Sequence, residues 1–485
     1  MASERPLELA DIQGNVLRGY PRLNYATLLW IRVDDPAQGR AWLGEVAHGV
    51  TTEASPKPTQ TARNLAFGFA GLRAMGVPEG LLKRFPEEFR EGMEARATRL
   101  LGDTGDSAPE RWEPGLREKQ RGHVLLMLQG ADRKLRGNLE EEARKVIDRH
   151  GLHVVHREVS DPLDPDAKLD ELKREHFGFA DGFSQPVIEG TPAQGRDLKR
   201  GVPWSGVPVR EERTDEAWRP IRTGEFLLGH CDEDGVRPRP ARFYLNGSFL
   251  VFRKLQQNVA AFRDAVADNS RDFAGLRGVG AAAYAQEQVA AKIVGRRRDG
   301  APLSRPESDR DRDLKSLDDF GYIKEDPRGA RCPLGAHIRR ANPRDALIGG
   351  VQRTRRHRIV RRGMPYGSEL PVGEPDDGTR GLLFICFNAS IGRQFETVQS
   401  WCLDGNLFDV PDEPDFLLGG GDERVTMTVQ MEQPSPPRFL VRSTPLVVTR
   451  GGGYYFYPSV NALGAVANGD YRGQEAELER PRVTY

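Results

Sequence analysis

Three consecutive segments suggest the fold: HVLLMLQ (123–129), LRGNLEEEARKVIDRH (135–150) and LHVVHREV (152–159). The first and third are rich in large apolar and β-branched residues, which predicts two strands. The middle segment predicts a helix that ends at Gly151, because glycine is a common helix stop. A helix between two strands is the repeating piece of a ferredoxin-like α+β unit.

The residues upstream continue the same pattern. Residues 24–33 (NYATLLWIRV) predict a strand, and residues 36–48 carry apolar residues at helical spacing. Residues 64–76 are rich in small residues and run into Gly-Val-Pro, which is a helix-stop signal. The alternation of strands and helices predicts an α+β sandwich built on ferredoxin-like units.

The second half of the chain repeats this order. The predicted elements are a strand at 248–254, a helix at 257–268, a strand at 381–388, a helix from about Ile391 to Leu403, and strand-like sequence at 438–449 and 454–457. We therefore predict a duplicated ferredoxin-like α+β fold with two antiparallel sheets. The N-terminal half spans 1–240 and the C-terminal half 241–485. Stretches 160–245 and 294–330 are polar and predict surface loops.

Composition excludes several classes of function. The chain has 485 residues, of which 71 are Lys or Arg and 71 are Asp or Glu. A balanced charge gives no general attraction to nucleic acid or to an acidic membrane. The four cysteines form no Cys-x-x-Cys pair, so we expect neither a zinc site nor a disulfide framework. We see no signal peptide and no long apolar run, and we expect a cytoplasmic protein without a membrane segment.

The first candidate site segment is HFGFADGFSQP (176–186), which carries Asp181 between two glycines. Glycines on both sides allow the backbone unusual angles around this carboxylate. The neighbouring phenylalanines predict apolar surroundings, in which a carboxyl group can act as an acid or base near neutral pH. An ordinary Asp-Gly turn beside core aromatics is the alternative.

The second segment is CPLGAHIRRANP (332–343), in which His337 lies among small and apolar residues. Imidazole is a good iron ligand, and a single histidine can hold haem. The alternative is an ordinary, partly buried histidine. The third segment, RRHRIVRRGMPYG (355–367), is a basic run interrupted by two apolar residues. An arginine that enters the core here needs an anionic partner.

Taken together, these segments closely resemble the dye-decolourising peroxidase family. The resemblance rests on GFADG (178–182), HIRRANPR (337–344) and RRGMPYG (361–367), and it extends to DIQGNV (11–16) and to residues 382–394. The pieces occur in the family's order over nearly the whole chain. The long loops and acidic stretches look like the longer, insertion-bearing branch of the family.

The resemblance implies a peroxidase with haem b, an iron protoporphyrin, held mainly by the C-terminal half. In this family His337 would bind the iron, and Asp181 and Arg361 would act on hydrogen peroxide. The enzyme would oxidise dyes and phenolic compounds in one-electron steps, as a monomer or small homo-oligomer. Arg296 and Arg339 are candidate partners of the haem propionates, and Phe384 is a candidate residue of the pocket on the peroxide side.

A carboxylate usually accepts a hydrogen bond from the iron-binding histidine in this family. The sequence Asn388-Ala-Ser390 has no acid at a position that some members use. Glu396 and Asp404 are the nearby candidates.

Two other functions remain open at this point. A haem-handling or chlorite-decomposing enzyme would keep the fold and change the reaction. A non-catalytic RNA-binding protein would use the sheet and the basic run 353–362, although the balanced charge and the absence of paired aromatic motifs disfavour it.

Overall fold

The first half of the chain forms a βαββαβ unit. The computed structural model describes residues 6–55, 58–165, 173–191, 220–271, 280–304, 320–409, 412–421, 423–430 and 436–477. The elements of this half are β1 Tyr25–Arg32, α1 Pro36–Ala47, β2 Thr61–Phe67, the short helices α2 Phe69–Ala74, α3 Glu79–Leu82, α4 Glu87–Glu91 and α5 Met93–Leu100, then β3 Val124–Gly130, α6 Arg133–Arg149 and β4 His153–Ser160. The strands are antiparallel in the order β4-β1-β3-β2, as a ferredoxin-like unit requires.

The second half repeats the unit with longer insertions. Its elements are β5 Ser248–Gln257, α7 Val259–Ser270, α8 Ala281–Val294, α9 His337–Ala341, α10 Gly350–Arg355, β6 Val360–Arg361, β7 Met364–Tyr366, β8 Gly381–Asn388, α11 Thr397–Leu403, β9 Val425–Val429, β10 Arg438–Arg442, β11 Val447–Tyr457 and α12 Val460–Asn468. The order β11-β5-β8 with β6 and β7 at the outer edge matches the order of the first half. Strands β9 and β10 form a separate pair.

The two halves meet edge to edge at β2 and β11. Only Phe67 and Phe456 are paired across this junction, and both are fully buried. The two antiparallel arrays are thereby continuous as one nine-stranded sheet. The predicted duplicated ferredoxin-like α+β fold is confirmed, while the predicted division at residue 240 stays a prediction.

Most of the predicted elements are present within one to three residues of their expected ends. The segment 64–76 is different, because it contains the end of β2 and then α2. The predicted strand at 438–449 is two strands, β10 and the start of β11. The predicted loop stretches 160–245 and 294–330 lie partly outside the described residues, and their described parts contain no strand longer than an isolated bridge. No helix among the described residues is both long and apolar enough to cross a membrane.

Strand β5 shows how the sheet creates a site. Side chains of a strand alternate between the two faces of the sheet. Arg253, Leu255 and Gln257 line a large internal cavity, whereas Lys254 and Gln256 line a different, polar pocket. The sheet of the second half therefore forms one wall of the cavity, and the insertions of that half supply most of the remaining walls.

Candidate active site

An internal cavity of about 320 Å³ lies against the sheet of the second half. Its walls come from the loop 175–184, strands β5, β8 and β11, helices α9 and α11, and residues 101–107 of the first half. Most of the lining is apolar, with a few charged side chains among it. Ligand sites commonly have this character, in which apolar walls bury a ligand and a few polar groups orient it.

His337 enters this cavity from the first turn of α9. Its Nδ1 atom lies 2.7 Å from Oδ2 of Asp415, whose side chain is fully buried. Oδ1 of Asp415 accepts hydrogen bonds from the backbone N–H groups of Leu417 (2.8 Å) and Leu418 (3.1 Å). The carboxylate is thus held rigidly, and it fixes the imidazole with Nδ1 as donor. Nε2 remains for a ligand and has no hydrogen-bond partner among the described residues.

The charges of this pair support each other. Burial alone would lower the pKa of His337, but the Asp415 carboxylate outweighs burial and raises it above the usual histidine value. Burial would likewise raise the pKa of Asp415, but His337 and the two backbone N–H groups keep it below the usual value. A carboxylate behind a histidine makes the imidazole a stronger electron donor toward a metal.

The acid beside His337 is not one that the sequence suggested. Glu396 instead forms a salt bridge with Arg96 at 2.7 Å and accepts from the hydroxyl of Tyr454. The side chain of Asp404 accepts from the backbone N–H of Asn406. Both expected candidates, Glu396 and Asp404, are therefore wrong, and Asp415 takes the position.

Asp181 lies on the loop for which the flanking glycines predicted unusual backbone angles. Gly178 and Gly182 have φ angles of +89° and +95°, so both glycines use backbone conformations that other residues rarely adopt. The backbone N–H of Asp181 donates to the carbonyl of Lys173 at 2.8 Å. These constraints aim the Asp181 side chain into the cavity, where Oδ2 has no hydrogen-bond partner among the described residues.

Arg361 meets Asp181 at the cavity wall. Its Nη1 lies 3.4 Å from Oδ1 of Asp181, and its Nη2 donates to the carbonyl of Phe183. Gln185 connects the two segments, because its Oε1 accepts from the backbone N–H of Arg361 (3.0 Å) and its Nε2 donates to the carbonyl of Arg361 (3.1 Å). Gln185 belongs to the segment 176–186, but the sequence alone did not single it out.

The neighbouring arginines of the basic run have other roles. Arg355 and Arg356 form salt bridges with Glu233 and Asp234. Arg362 donates to the backbone carbonyls of Asn15 and Val16, away from the cavity. Only Arg358 of these four also lines the cavity, and it donates to the carbonyl of Ser184.

Further guanidinium groups gather around Ser184. Arg296 and Arg344 each donate to Ser184 Oγ at 3.1 Å, and both line the cavity. Ser184 itself has a φ of +60°, a strained angle for a residue with a side chain. Arg344 was not singled out from the sequence, although it ends the quoted segment 337–344.

Arg339 and Phe384 also differ in where they lie. Arg339 is buried outside the cavity lining, donates to the carbonyls of Asp326 and Cys332, and covers the ring of Tyr322. Arg339 therefore lies away from the cavity in which it was expected to contact haem propionates, and Arg344 is the better candidate for that role. Phe384 lines the cavity from β8 and packs against Phe395.

The arrangement has three chemical capabilities. Nε2 of His337 can bind a metal through its lone pair. Asp181 can accept and return a proton, and the guanidinium of Arg361 can stabilise negative charge that develops next to Asp181. All three side chains line the same cavity, so these groups act on one shared space.

Known proteins resemble this chain over nearly its whole length. Residues 281–409 match the family model described as Dyp-type peroxidase, C-terminal. The chain is 30% identical to the multifunctional dye peroxidase DyP2 of an Amycolatopsis species, covering 94% of this chain and 95% of that protein. It is 29% identical to the dye-decolorizing peroxidase msp1 of Mycetinis scorodonius, covering 96% and 88%. The solved structure of an ancestral D-type dye decolorizing peroxidase superimposes with a TM-score of 0.76 at 28% identity, covering 96% and 100%.

Proposed function

Because the chain belongs to the dye-decolourising peroxidase family, we propose that its cavity binds haem b and that His337, Asp181 and Arg361 are its working residues. The protein is a haem peroxidase, a peroxide-dependent oxidoreductase that acts on dyes and phenols. One observation supports this assignment of residues. His337, which is hydrogen-bonded to Asp415, lines the same cavity as the ion pair of Asp181 and Arg361.

The chemistry of the cavity walls fits a haem. Nε2 of His337 would hold the iron, and the apolar lining, including Phe384, would pack against the porphyrin. Arg296 and Arg344, which meet at Ser184, would bind the carboxylates of the porphyrin, since guanidinium groups pair well with carboxylates. When bound, the haem would supply the redox chemistry by which hydrogen peroxide oxidises a reducing substrate in one-electron steps.

Asp181 moves the proton that peroxide cleavage requires. A carboxylate oxygen of Asp181 takes the proton from one oxygen of hydrogen peroxide and then delivers it to the other oxygen, which leaves as water. The side chain is suited to this task because its Oδ1 is held by the N–H of Gly182 at 2.6 Å, while Oδ2 has no hydrogen-bond partner in the part of the chain that the structure describes. A group that first accepts and then donates one proton contributes roughly 100- to 10,000-fold to a rate.

Arg361 supports this transfer through its charge. As the O–O bond breaks, negative charge develops on the departing oxygen, and the guanidinium next to Asp181 stabilises that charge. Gln185 keeps the backbone of Arg361 in place, so little reorganisation is required when peroxide enters.

The reducing substrates are small aromatic compounds in this proposal. The similarity to dye peroxidases over nearly the whole chain favours peroxidase chemistry over the haem-handling and chlorite-decomposing alternatives. It also leaves no support for the RNA-binding alternative.

Absorption spectroscopy tests the proposal directly. Purified protein reconstituted with haem b should develop a Soret band, and that band should change within seconds of adding hydrogen peroxide. The loaded protein should then turn over an anthraquinone dye and 2,6-dimethoxyphenol at acidic pH. A protein that retains no haem, or that takes up haem and shows neither response, would contradict the proposed function.

A further inference from the structure

Arg298 contacts the outer side of the loop that carries Asp181. Its Nη1 donates to the backbone carbonyl of Phe177, and its own backbone carbonyl accepts from the N–H of Ala180 at 3.1 Å. Its guanidinium also lies 5.0 Å from the centre of the Phe179 ring. Arg298 therefore binds the segment that leads directly to Asp181, and the mechanism described above gives it no role.

The inner side of the same segment faces the cavity. Phe177, Phe179, Ala180 and Asp181 all line the cavity, whereas Arg298 is not among the described residues that do so. Arg298 therefore reaches the site only through the backbone and the rings of this segment.

Gly178 makes room for the guanidinium of Arg298. A Cβ atom at position 178 would lie 2.4 Å from Nη1 of Arg298, and the φ angle of Gly178 is +89°. Both the close approach and the backbone angle favour glycine at this position. The first glycine of the segment GFADG (178–182) is thus matched to an arginine from a distant part of the chain.

Arg298 is itself held in place by Glu287 of α8. Its Nε donates to Oε2 of Glu287 at 2.8 Å, and the two side chains are 35% and 41% exposed. An ion pair with this exposure contributes little through its charge. The planar fork of the guanidinium is what matters, because it can bind a carboxylate and a backbone carbonyl at the same time.

The turn 296–302 contacts the Asp181 loop at both ends. Arg296 donates to Ser184 Oγ at 3.1 Å on the far side of Asp181, and Arg298 binds the near side. A backbone bridge between Arg296 and Pro302 closes this turn. The position of Asp181 is thus set from both sides by one short segment.

We propose that Arg298 is a positioning residue for Asp181, which holds the loop from outside so that the carboxylate lies where peroxide is cleaved. The proposal rests on the proposed function, in which Asp181 moves the proton. A catalytic group must be held close to its productive position, since a displacement of about 1 Å can slow a reaction roughly 100-fold.

Two measurements on the haem-loaded protein test the proposal. Arg298→Leu should slow the reaction with hydrogen peroxide roughly 10-fold in stopped-flow absorbance, because Asp181 is held less firmly. Hydrogen–deuterium exchange of the peptide 174–184 should become roughly fivefold faster, which corresponds to the loss of about one hydrogen bond. Arg298→Lys keeps the charge without the fork, so it should show both effects at a smaller size.

A double-mutant cycle separates positioning from general damage. In the Asp181→Asn background, Arg298→Leu should change the remaining peroxide rate less than about twofold, because no carboxylate is left to position. Arg117→Leu is the matched control. Arg117 is also half-buried, donates to the carbonyls of Trp112 (2.9 Å) and Glu110, and lies outside the cavity lining. Its loss should leave the peroxide rate and the exchange of peptide 174–184 as in the wild type.

Two results would overturn the inference. One is a wild-type peroxide rate or wild-type exchange of peptide 174–184 in Arg298→Leu. The other is an equal slowing by Arg298→Leu with and without the Asp181 carboxylate, which would mean that Arg298 does not act through Asp181. Failure of the proposed function looks different, because the wild type would then lack a Soret band or Asp181→Asn would react with peroxide at the wild-type rate.

Discussion

Arg361 and Arg362 are neighbours in sequence, yet their guanidinium groups leave the sheet in opposite directions. Arg361 reaches Asp181 in the cavity, whereas Arg362 reaches the backbone carbonyls of Asn15 and Val16. The alternation of side chains along an extended strand produces this separation. It converts two adjacent and chemically identical residues into a matched test of the proposed mechanism.

Arg361→Leu should slow the reaction of the haem-loaded protein with hydrogen peroxide roughly 100- to 1,000-fold, because the positive charge beside Asp181 is lost. Arg362→Leu should change that rate less than about threefold. It should instead lower stability by about 1–3 kcal/mol, since two buried carbonyl groups lose their donor. Stopped-flow absorbance and urea unfolding measure the two effects. Equal peroxide rates in both variants would show that the wrong arginine was chosen.

Asp181→Asn should retain haem and react with peroxide roughly 100- to 10,000-fold more slowly, because an amide cannot take up the proton. Asp299→Asn is a suitable control, since the Asp299 side chain is exposed and accepts, among the described residues, only from the N–H of Ala301. Its rate constant should equal that of the wild type. A normal rate in Asp181→Asn would assign the proton transfer to another group.

His337→Ala should lose most of its haem on gel filtration, whereas His357→Ala should keep it. The comparison is stringent because both histidines line the same cavity. Their ring environments differ: Nδ1 of His337 is held by the Asp415 carboxylate, while Nδ1 of His357 contacts the carbonyl of Arg393. The ratio of Soret to protein absorbance in the eluted peak reports the outcome. The reverse pattern would make His357 the ligand.

Glu140 predicts a pH dependence of stability far from the cavity. Burial opposes its ionisation, but hydrogen bonds from Arg157 (2.6 and 2.9 Å) and Arg144 (3.0 Å) outweigh burial and lower its pKa to about 2. A carboxyl group with a lowered folded-state pKa stabilises the fold above its unfolded-state pKa, and that stabilisation is lost as pH falls through the folded value.

Glu140→Gln should therefore be less stable than the wild type by about 1–3 kcal/mol at pH 7, and this difference should shrink as pH falls from about 4.5 toward 2. Glu141→Gln, at an exposed position on the same helix, should match the wild type throughout. Urea unfolding at several pH values checks this. A difference that is constant with pH would mean that packing, and not charge, is responsible.

Much of the fold was predictable because each half is built from local patterns. The segments 123–129, 135–150 and 152–159 correspond to β3, α6 and β4. Segment 64–76 was harder to interpret, because the strand β2 passes directly into α2 at Gly68 without a turn signal. The pairing of β2 with β11 joins residues about 390 positions apart, and no local pattern encodes it.

Candidate site residues could be chosen from the sequence where a residue and its neighbours form one motif. His337, Asp181 and Arg361 were chosen in this way, and all three line the cavity. Asp415 was missed because it meets His337 across 78 positions, in a loop with no pattern of its own. The sequence suggested Arg339 as a cavity residue, but Arg344 takes that place. The direction in which a side chain leaves the short helix α9 or the turn after it depends on tertiary packing, which the sequence does not show.

The position of β11 has a consequence for how the protein is made. Residues 25–160 contain every strand of the first ferredoxin-like unit, so this unit can form while the ribosome is still producing the rest. The second unit cannot be completed at that stage. Strand β11, which lies between β2 and β5, is synthesised nearly 200 residues after β5. The cavity wall is therefore completed last, and a cofactor that binds there would be loaded only after almost the entire chain has been synthesised.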